Sequence, residues 1–411
     1  DLGVDATIFT LGASAGSTFY SYFKSDGTLE TYATTSGTAI NLRTNAKYLD
    51  PAAWYNLVIA VDTEQGTAAN RVKIYINGTQ VTSFQTETYP AEDLDIASLT
   101  TSQTYYVGSL YGPQQYFDGY LAEFVFIDGL QLAATSFGEF DSDSPTIWKP
   151  IDVSGLTFGN NGFYLDFEAS ANLGNDANGG TDLGETNIAA ADQATDTPTN
   201  NFATMNPLDN YYAPSTFAEG NCHITTGSSS NSYSVVTGTM GVSAGKWYWE
   251  VELDGGGDPP YAMLGITDIP TQAANQQLGY GTYQWALRQD DAILTTGSGN
   301  VDPWGVVYAV NDVIMFALDL TNNKLYFGKN GDWMQQSSGT GGDPTDGTGA
   351  ISITDPASNQ SGFYFPAVSD WGNGNAVLKC NFGGCSAFDV SSANADDNGY
   401  GNFEYDVPAG Y

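Results

Sequence analysis

The sequence predicts an all-β protein, and three observations support that prediction. No stretch of about 12 residues carries apolar positions at helical spacing without interruption by glycine, proline or β-branched clusters. Glycine contributes 48 of 411 residues, roughly 12% against a usual ~7%, which is typical of many turns. Short segments such as "VKIYI" (72–76) alternate apolar and polar residues, which is typical of half-buried strands.

The first half contains a sequence pattern that predicts a strand followed by a tight hairpin. The segment "WYNLVIAVDT" (54–63) alternates as a strand, and the next segment places Val72, Ile74 and Ile76 on one face. Asn77-Gly78 follows and supplies the two positive φ values of a type I′ turn. The segment "EFVFIDGLQL" (123–132) predicts a second hairpin of this kind at Asp128-Gly129.

The second half repeats the pattern. Leu325 and Phe327 share one face of a predicted strand, and Asn330-Gly331 forms its turn. "GFYLDF" (162–167) predicts a late strand of the first half. Only "LAATSFGEF" (132–140) and "NIAAADQA" (187–194) are compatible with a helical turn or two. Dense strands and turns of this kind indicate sandwiches or barrels.

Length and composition divide the chain into two sandwiches. A chain of 411 residues exceeds the ~100–200 residues of one ordinary domain. We predict β-sandwiches over residues 1–168 and 202–390. Residues 169–201 hold few large apolar side chains and predict an irregular linker, and residues 391–411 predict a loop-rich C-terminal segment.

The charge balance excludes some partners. With 47 acidic and 11 basic residues, the net charge is −36, and such a surface repels nucleic acid and anionic lipid. No run of ~20 apolar residues predicts membrane insertion. Self-repulsion is best tolerated in salt, where screening is strong, so a saline habitat and an ordinary acidic extracellular protein both fit.

Cysteine and histidine are scarce. The three cysteines are Cys222, Cys380 and Cys385, an odd number that does not form a disulfide framework. Cys222 could pair with Cys380 or Cys385 if the first and last strands of this half are neighbours, and buried thiols are the alternative. A zinc site would need about four nitrogen or sulfur ligands, and His223 is the sole histidine.

Ordered segments of both halves carry a family resemblance. "DPAAWYNLVIAVDT", "NRVKIYINGTQVTSF" and "YFDGYLAEFVFIDG" resemble successive strands of a laminin G-like or concanavalin A-like jelly roll. "GKWYWEVELDG", "VIMFALDLTNNKLYFGKNG", "GFYFPAVS" and "CNFGG" resemble the strands of a SPRY domain. The resemblance implies two related sandwiches in tandem, with further strands before "DLGVDATIF" and more chain after "FEYDVPAGY".

The domain pair is similar to tail-fibre and other virion surface proteins of marine bacteriophages. That resemblance implies a non-enzymatic protein on the virion surface, attached to host glycans or to other virion proteins, with a homotrimer as the favoured assembly. Two alternatives stay open. One is a glycan-degrading depolymerase on the concanavalin A-like fold, and the other is an adhesin or filament protein on a bacterial cell surface.

Catalysis would need paired carboxylates, and one strand offers them. Glu250, Glu252 and Asp254 alternate in "WEVELDG", close to the ~5–5.5 Å carboxylate spacing of retaining glycosidases. The SPRY pattern instead implies that Trp247, Trp249, Val251 and Leu253 point inward and that the acids face solvent. His223 and Cys222 are adjacent on a predicted strand, so they point to opposite faces and support no nucleophile–base pair.

Binding is the function that the sequence favours. Aromatic residues lie in loops beside small and polar residues, where a ring can stack on a sugar: Tyr111, Tyr116, Tyr280, Trp304, Trp333 and Trp371. The alternative for each is a core or edge position. No cofactor is expected. One structural calcium ion is compatible with the acidic loops, such as "EFDSDS" (139–144) and "ANADDNG" (393–399), although no EF-hand spacing occurs.

Overall fold

Two compact units make up the chain in a computed structural model. The first unit comprises residues 1–193 and 197–199, and the second comprises residues 194–196 and 200–411. The described residues are 3–99, 103–112, 114–227, 229–256, 261–270, 275–290, 294–297, 299–301, 304–336, 339–372, 374–384 and 387–411.

The first unit is built from short strands and one helical turn. Its helix α1 is Ala68–Arg71, and 3₁₀ turns occur at Ala97–Leu99, Ala134–Ser136 and Ala190–Asp192. Its strands are β1 (Ala6–Ser14), β2 (Ser17–Phe23), β3 (Thr28–Thr34), β4 (Thr38–Lys47), β5 (Leu57–Val61), β6 (Val72–Ile76), β7 (Thr79–Gln80), β8 (Phe84–Thr88), β9 (Tyr105–Val107), β10 (Phe124–Phe126), β11 (Gly138–Phe140), β12 (Trp148–Pro150) and β13 (Phe163–Leu165).

A six-stranded antiparallel sheet dominates this unit, in the order β8, β4, β3, β2, β1, β9. Strands β5, β6 and β7 form a second sheet, and β10 pairs with β13. One core joins them: Phe9, Leu11 and Leu29 of the large sheet pack with Ile74 of β6 and Phe163 of β13. Burial of apolar side chains between the layers supplies the main driving force for this packing.

The hairpin predicted at Asn77-Gly78 is confirmed. Strand β6 buries Val72, Ile74 and Ile76 on one face, and the turn residues have φ values of 47° and 73°. A Cβ atom on Gly78 would lie 2.2 Å from the ring of Trp148. Glycine is therefore required there by both the left-handed backbone and the packed indole.

The hairpin predicted at Asp128-Gly129 is wrong. Of that pair only Gly129 has a positive φ, 85°, and residues 127–132 form no strand. Strand β10 pairs instead with the distant β13, with Val125 opposite Tyr164. The long-range partner, which sequence alternation cannot reveal, determines the pairing.

The second unit contains two large sheets. Its strands are β14 (Met205–Tyr212), β15 (Thr216–Ala218), β16 (His223–Thr225), β17 (Ser229–Gly238), β18 (Lys246–Gly256), β19 (Met263–Thr267), β20 (Trp285–Arg288), β21 (Leu294–Thr296), β22 (Gly299–Val301), β23 (Val313–Asp319), β24 (Lys324–Lys329), β25 (Asp332–Trp333), β26 (Ile351–Ser352), β27 (Phe365–Gly372) and β28 (Ala376–Asn381), with a 3₁₀ turn at Pro356–Ser358.

Strands β14, β17, β27, β19, β20, β21 and β22 form one sheet of this unit in that order. Strands β15, β16, β28, β18, β23, β24 and β25 form the other, and β26 pairs with β24. The core between them includes Trp249, Val251 and Leu253 of β18 with Phe316 and Phe327. The rings of Trp249 and Phe316 stack at a centroid distance of 4.7 Å.

The second predicted hairpin is also confirmed. Leu325 and Phe327 are fully buried on one face of β24, and Asn330 and Gly331 have φ values of 51° and 90°. The two units thus use the same turn chemistry. The prediction of an all-β protein built from β-sandwich folds is confirmed.

The segment predicted as an irregular linker has an irregular backbone. Within 169–201 the structure describes one short 3₁₀ turn, and most of the segment belongs to the first unit. Asp176 is buried there, and its carboxylate accepts the backbone N–H groups of Tyr164, Asn178 and Gly180 at 2.9–3.0 Å. Carboxylate-to-backbone bonds thus take the place of strand pairing in this segment.

Among the described residues, no helix is long and apolar enough to cross a lipid bilayer.

Candidate functional site

The outer face of the six-stranded sheet, which points away from the core of the first unit, is lined by polar and aromatic side chains. Register places Tyr20 opposite Tyr32, Tyr22 opposite Glu30, and Tyr32 opposite Asn41. These pairs contain no valine, leucine, isoleucine or methionine. We call the set Tyr20, Tyr22, Glu30, Tyr32, Asn41 and Arg43 the tyrosine face.

Three rings form a continuous surface on this face. The centroid of Tyr20 lies 5.2 Å from that of Tyr22 and 5.3 Å from that of Tyr32. Tyr20 and Tyr32 stay partly exposed, whereas Tyr22 is buried. Burial raises the pKa of Tyr20 and of Tyr22, with further rises from Tyr22 and Glu30 respectively, so both hydroxyls stay protonated and can donate.

Polar groups flank the rings on β3 and β4. Arg43 stands opposite Glu30 and is partly exposed. Asn41 lies beside Tyr32, and its Oδ1 atom is buried without a hydrogen-bond partner among the described residues. A buried amide oxygen without a donor is costly.

A loop lies along one edge of the tyrosine face. The backbone N–H of Thr7 donates to Gln115 O at 3.0 Å, and Thr10 Oγ1 donates to Ser109 O at 3.0 Å. Tyr111 is partly exposed and close enough to Tyr20 to raise the pKa of that phenol. Tyr116 is 58% exposed. Tyr111 therefore borders the tyrosine face, and Tyr116 is an exposed residue of the same loop.

The outer face of the β18–β28 sheet in the second unit is built differently. Tyr248, Met315, Ala317 and Tyr326 line it and are buried. Residues 391–411, which we call the C-terminal strap, cover this face and add Phe403 and Tyr411 to one apolar cluster. Lys246 Nζ lies 4.6 Å from the ring centroid of Tyr411.

Glu250 lies at the centre of that covered face. Its carboxylate accepts the Tyr248 hydroxyl at 2.8 Å and the Asn381 amide at 3.2 Å. The backbone N–H groups of Glu404 and Tyr405 in the C-terminal strap also donate to it, at 3.0 and 2.9 Å. Burial raises the pKa of Glu250, and the four hydrogen bonds oppose that rise.

The geometry corrects two expectations for this strand. Glu250 was expected to face solvent, yet it is 0% exposed because the strap covers it. Trp247 was expected to point inward, yet it is 47% exposed. It lies on the core-facing side of β18, opposite Leu318, but at the start of the strand, where the core no longer covers it. Trp249, Val251 and Leu253 point into the core as predicted.

The other two carboxylates of the predicted catalytic set lie in an ion-pair cluster. Lys379 Nζ is 3.1 Å from Asp254 Oδ1 and 3.7 Å from Glu252 Oε2. His223 Nε2 is 3.5 Å from Asp254 Oδ2. One ammonium group, that of Lys379, is thus shared by two carboxylates of β18, and Glu250 is held separately beneath the strap.

Family models match both units. Residues 2–132 match the concanavalin A-like lectin/glucanases superfamily, and residues 246–380 match the SPRY domain. The chain therefore carries these two domains in tandem. Among solved structures, the crystal structure of the SPRY domain of human HERC1 matches with 16% sequence identity and a TM-score of 0.33, covering 43% of this chain and 96% of that chain. None of the curated proteins matches the chain.

The two domain families indicate a role in binding or protein interaction. The concanavalin A-like match spans all strands of the tyrosine face, from β1 to β9. The SPRY match spans Glu250 and the strands around it, and it ends before the C-terminal strap. Sequence reasoning missed Tyr20, Tyr22 and Tyr32, although the alternation in "STFYSYF" (17–23) places both tyrosines of β2 on one face.

The predicted aromatics of the SPRY-bearing unit lie in different environments. Trp304 is 4% exposed and packs against Phe327 in the core, which corrects the expectation of a ligand contact. Trp333 is partly buried against Tyr248. Tyr280 is 62% exposed, and Trp371 is 42% exposed. The structure therefore does not bring these four side chains together as one site.

Metal ligands and cysteines add little. Within the part of the chain that the structure describes, no group of three or more histidine, cysteine, aspartate or glutamate side chains could hold a metal ion. The acidic loops cap backbone instead, as where Asp141 Oδ1 accepts two N–H groups. Cys222 and Cys380 are buried on neighbouring chain segments, and Cys380 N donates to Cys222 O at 2.8 Å. Cys385 lies outside the described residues.

Proposed function

We propose that the concanavalin A-like unit binds carbohydrate on the tyrosine face and that the chain is a non-enzymatic binding protein. The observation that carries this proposal is the cross-strand pair Tyr20–Tyr32, with rings 5.3 Å apart on a sheet face without large aliphatic side chains. An apolar sheet face would instead need another segment to shield it from water. A face of phenols, an amide and a guanidinium suits a ligand that is apolar on its ring face and polar at its edge.

Each part of the face has a role in such binding. The rings of Tyr20 and Tyr32 offer a platform for the C–H face of a sugar ring. Their hydroxyls donate and accept, and the partly exposed Arg43 donates, so the hydroxyls of a sugar can form hydrogen bonds at several points. Tyr22 and Glu30 are buried beside the platform on the same face, and the ring of Tyr22 packs against that of Tyr20.

A glycan array tests the proposal directly. The full chain is applied to an array of soluble and immobilised glycans, beside the double variant Tyr20→Ala/Tyr32→Ala. Tyr400→Ala is the matched control, because Tyr400 is 55% exposed, lies in the other unit and is not among the predicted ligand contacts. We expect the double variant to lose binding at least tenfold and the control to keep it. Equal binding by all three proteins would contradict the proposal.

The enzymatic alternative has its own test. What favours a non-enzymatic role is that Glu250, Glu252 and Asp254 are engaged by groups of the chain itself. We expect no release of reducing sugar from any glycan that the chain binds. Activity that disappears in Glu250→Gln or Glu252→Gln, with binding retained, would make the depolymerase the correct assignment.

A second surface favours a protein partner. Trp371 is exposed, stacks with Tyr233 at 6.0 Å and contacts Tyr261 at 5.6 Å. Exposed aromatic clusters are typical of interface anchors. We propose that this SPRY-bearing unit contacts another protein through these rings. Trp371→Ala should weaken capture of that protein from particle lysates and leave glycan binding unchanged.

The biological setting that we propose is the surface of a marine bacteriophage particle, as a homotrimer without a required cofactor. The resemblance of the tandem segments and the net charge of −36 support it. Immunogold labelling of intact particles tests the location, and label on bacterial envelopes would favour the adhesin or filament. Sedimentation tests the trimer, and repeating it with calcium and with chelator tests the single structural ion.

A further inference from the structure

The cations beside the tyrosine face are already paired with carboxylates. Arg43 Nη2 lies 2.6 Å from Asp26 Oδ2, and Arg43 Nε donates to Thr28 Oγ1 at 3.0 Å. The hydrogen bonds from Thr28, with a smaller contribution from Arg43, lower the pKa of Asp26 to about 2, so the pair stays ionised across the neutral range. The positive charge of Arg43 is therefore already balanced by Asp26 before any ligand binds.

Lys24 is compensated in the same way. Its Nζ donates to the Tyr22 hydroxyl at 2.8 Å and lies 4.7 Å from the centroid of that ring. Two carboxylates approach the same ammonium group, Glu30 at 3.7 Å and Asp5 at 3.8 Å. Three carboxylates thus stand beside two cations, and an anionic ligand would meet an excess of negative charge.

The net charge of the whole chain is also negative, so it disfavours anionic ligands as well. The chain carries a net charge of −36, which lowers the local concentration of polyanions over the whole surface. Within the face the raised pKa values of Tyr20 and Tyr22 keep both phenols neutral. The phenol hydroxyls, which donate and accept hydrogen bonds, remain for recognition.

We propose that the tyrosine face selects uncharged glycans and rejects glycans that bear sulfate or carboxylate groups. This inference rests on the proposed function and adds the ligand class. An anionic group placed at Arg43 would lie beside the Asp26 carboxylate, which is 2.6 Å from Nη2, and the two negative charges would repel each other. A neutral sugar leaves both ion pairs intact and uses the remaining hydrogen-bonding groups.

The test compares a neutral glycan with its own sulfated derivative. The neutral array glycan with the strongest Tyr20-dependent binding is sulfated chemically, and both forms are titrated against the full chain by calorimetry. We expect the sulfated form to bind at least tenfold more weakly at low salt. The ratio of the two affinities should be smaller at high salt, because charge repulsion is screened. Equal or tighter binding of the sulfated form at low salt would overturn the inference.

A charge variant separates electrostatics from the bulk of the added groups. Asp26→Asn removes the carboxylate that pairs with Arg43. The ratio of the affinities for the neutral and the sulfated glycan should then fall at least threefold. Glu64→Gln removes one negative charge from an exposed position on another loop and should leave the affinity ratio unchanged. The same affinity ratio in both variants would contradict the role of the Arg43–Asp26 pair.

The two proposals fail in different ways. If no glycan shows Tyr20-dependent binding, carbohydrate recognition on this face is wrong. If Tyr20-dependent binding exists and the bound glycans carry sulfate or uronate groups, the face is confirmed and only the selection of neutral ligands is wrong.

Discussion

The outer sheet faces of the two units differ in what lines them and in what covers them. In the concanavalin A-like unit, Tyr20, Tyr32, Asn41 and Arg43 stay partly exposed on their sheet. In the SPRY-bearing unit, the C-terminal strap buries the corresponding kind of surface beneath Phe403 and Tyr411. Both faces are rich in tyrosine, so tyrosine content alone does not decide which face is covered.

The difference lies in the residues between the tyrosines. Met315 and Ala317 alternate with the core positions of β23, and an apolar face of this kind gains free energy when a segment excludes water from it. On β2 to β4 the intervening positions are Glu30, Asn41 and Arg43, which lose hydration if covered. In this chain the C-terminal strap covers the apolar sheet face, and the polar aromatic face stays partly exposed.

Removing the main apolar anchor of the strap should have the largest effect. Phe403 is buried against Tyr248, with ring centroids 5.0 Å apart, so Phe403→Ala should lower the free energy of unfolding of this unit by about 4 kcal/mol. Phe363→Ala is the matched control, since Phe363 is exposed. Chemical denaturation followed by tryptophan fluorescence measures both. Equal losses in the two variants would mean that the strap does not stabilise the sheet.

Asp209 provides a contrast to Glu250 within the same unit. It is buried, Thr237 Oγ1 donates to its Oδ2 atom, and Oδ1 has no partner among the described residues. Burial raises the pKa of Asp209 from 3.8 to about 6, against a lowering by Thr237. The folded form therefore binds the proton more tightly than the unfolded form.

The stability that this proton contributes should be present below pH 4 and lost as the pH rises through 6. The expected loss is about 3 kcal/mol, from ~1.4 kcal/mol for each unit of pKa. Asp209→Asn should remove that part of the pH dependence and should be more stable than the natural chain at pH 7. Denaturation series at pH 4 and pH 7 measure the difference, and parallel pH profiles for the two proteins would contradict it.

Glu250→Gln should have a somewhat smaller effect. The amide keeps the volume of the carboxylate but places an N–H group against two donors, so we expect a loss of about 2 kcal/mol. It should also speed hydrogen exchange at the amides of Glu404 and Tyr405, which donate to Glu250. Glu252→Gln, on the same strand, should leave those two amides protected. Unchanged exchange in Glu250→Gln would contradict the role of this carboxylate in holding the strap.

The smallest predicted effect concerns the hydroxyl of Tyr32. Tyr32→Phe keeps the ring and removes a group that lies 3.2 Å from Thr38 Oγ1, so glycan affinity should change less than threefold. Tyr32→Ala removes the platform and should cost more than tenfold. Calorimetric titration separates the two, and a loss as large in Tyr32→Phe would assign recognition to hydrogen bonding instead of stacking.

The sequence contained enough information for the local structure and for part of the site. Asn77-Gly78 and Asn330-Gly331 predict their hairpins because positive φ at two successive residues is a local requirement. Alternation also places Tyr20 and Tyr22 on one face. Tyr111 and Tyr116 were predicted as ligand contacts. Tyr111 borders the tyrosine face and Tyr116 lies in the same loop, and their contact with a ligand stays a prediction.

Long-range contacts could not be predicted in the same way. The C-terminal strap has no periodicity, and its anchors Phe403 and Tyr411 are isolated in a loop composition. The burial of Glu250 depends on that strap, since alternation assigns a face but not what covers it. Trp304 lies in a glycine- and proline-containing segment that suggested a surface loop, and tertiary packing placed it in the core.

Hydrogen exchange of the intact chain with and without a bound neutral glycan compares the two faces most directly. We predict that the glycan slows exchange at residues 18–23, 28–34 and 39–43 and leaves residues 402–411 unchanged. Slowed exchange confined to the SPRY-bearing unit, with residues 18–43 unaffected, would contradict the assignment of the tyrosine face as the binding surface.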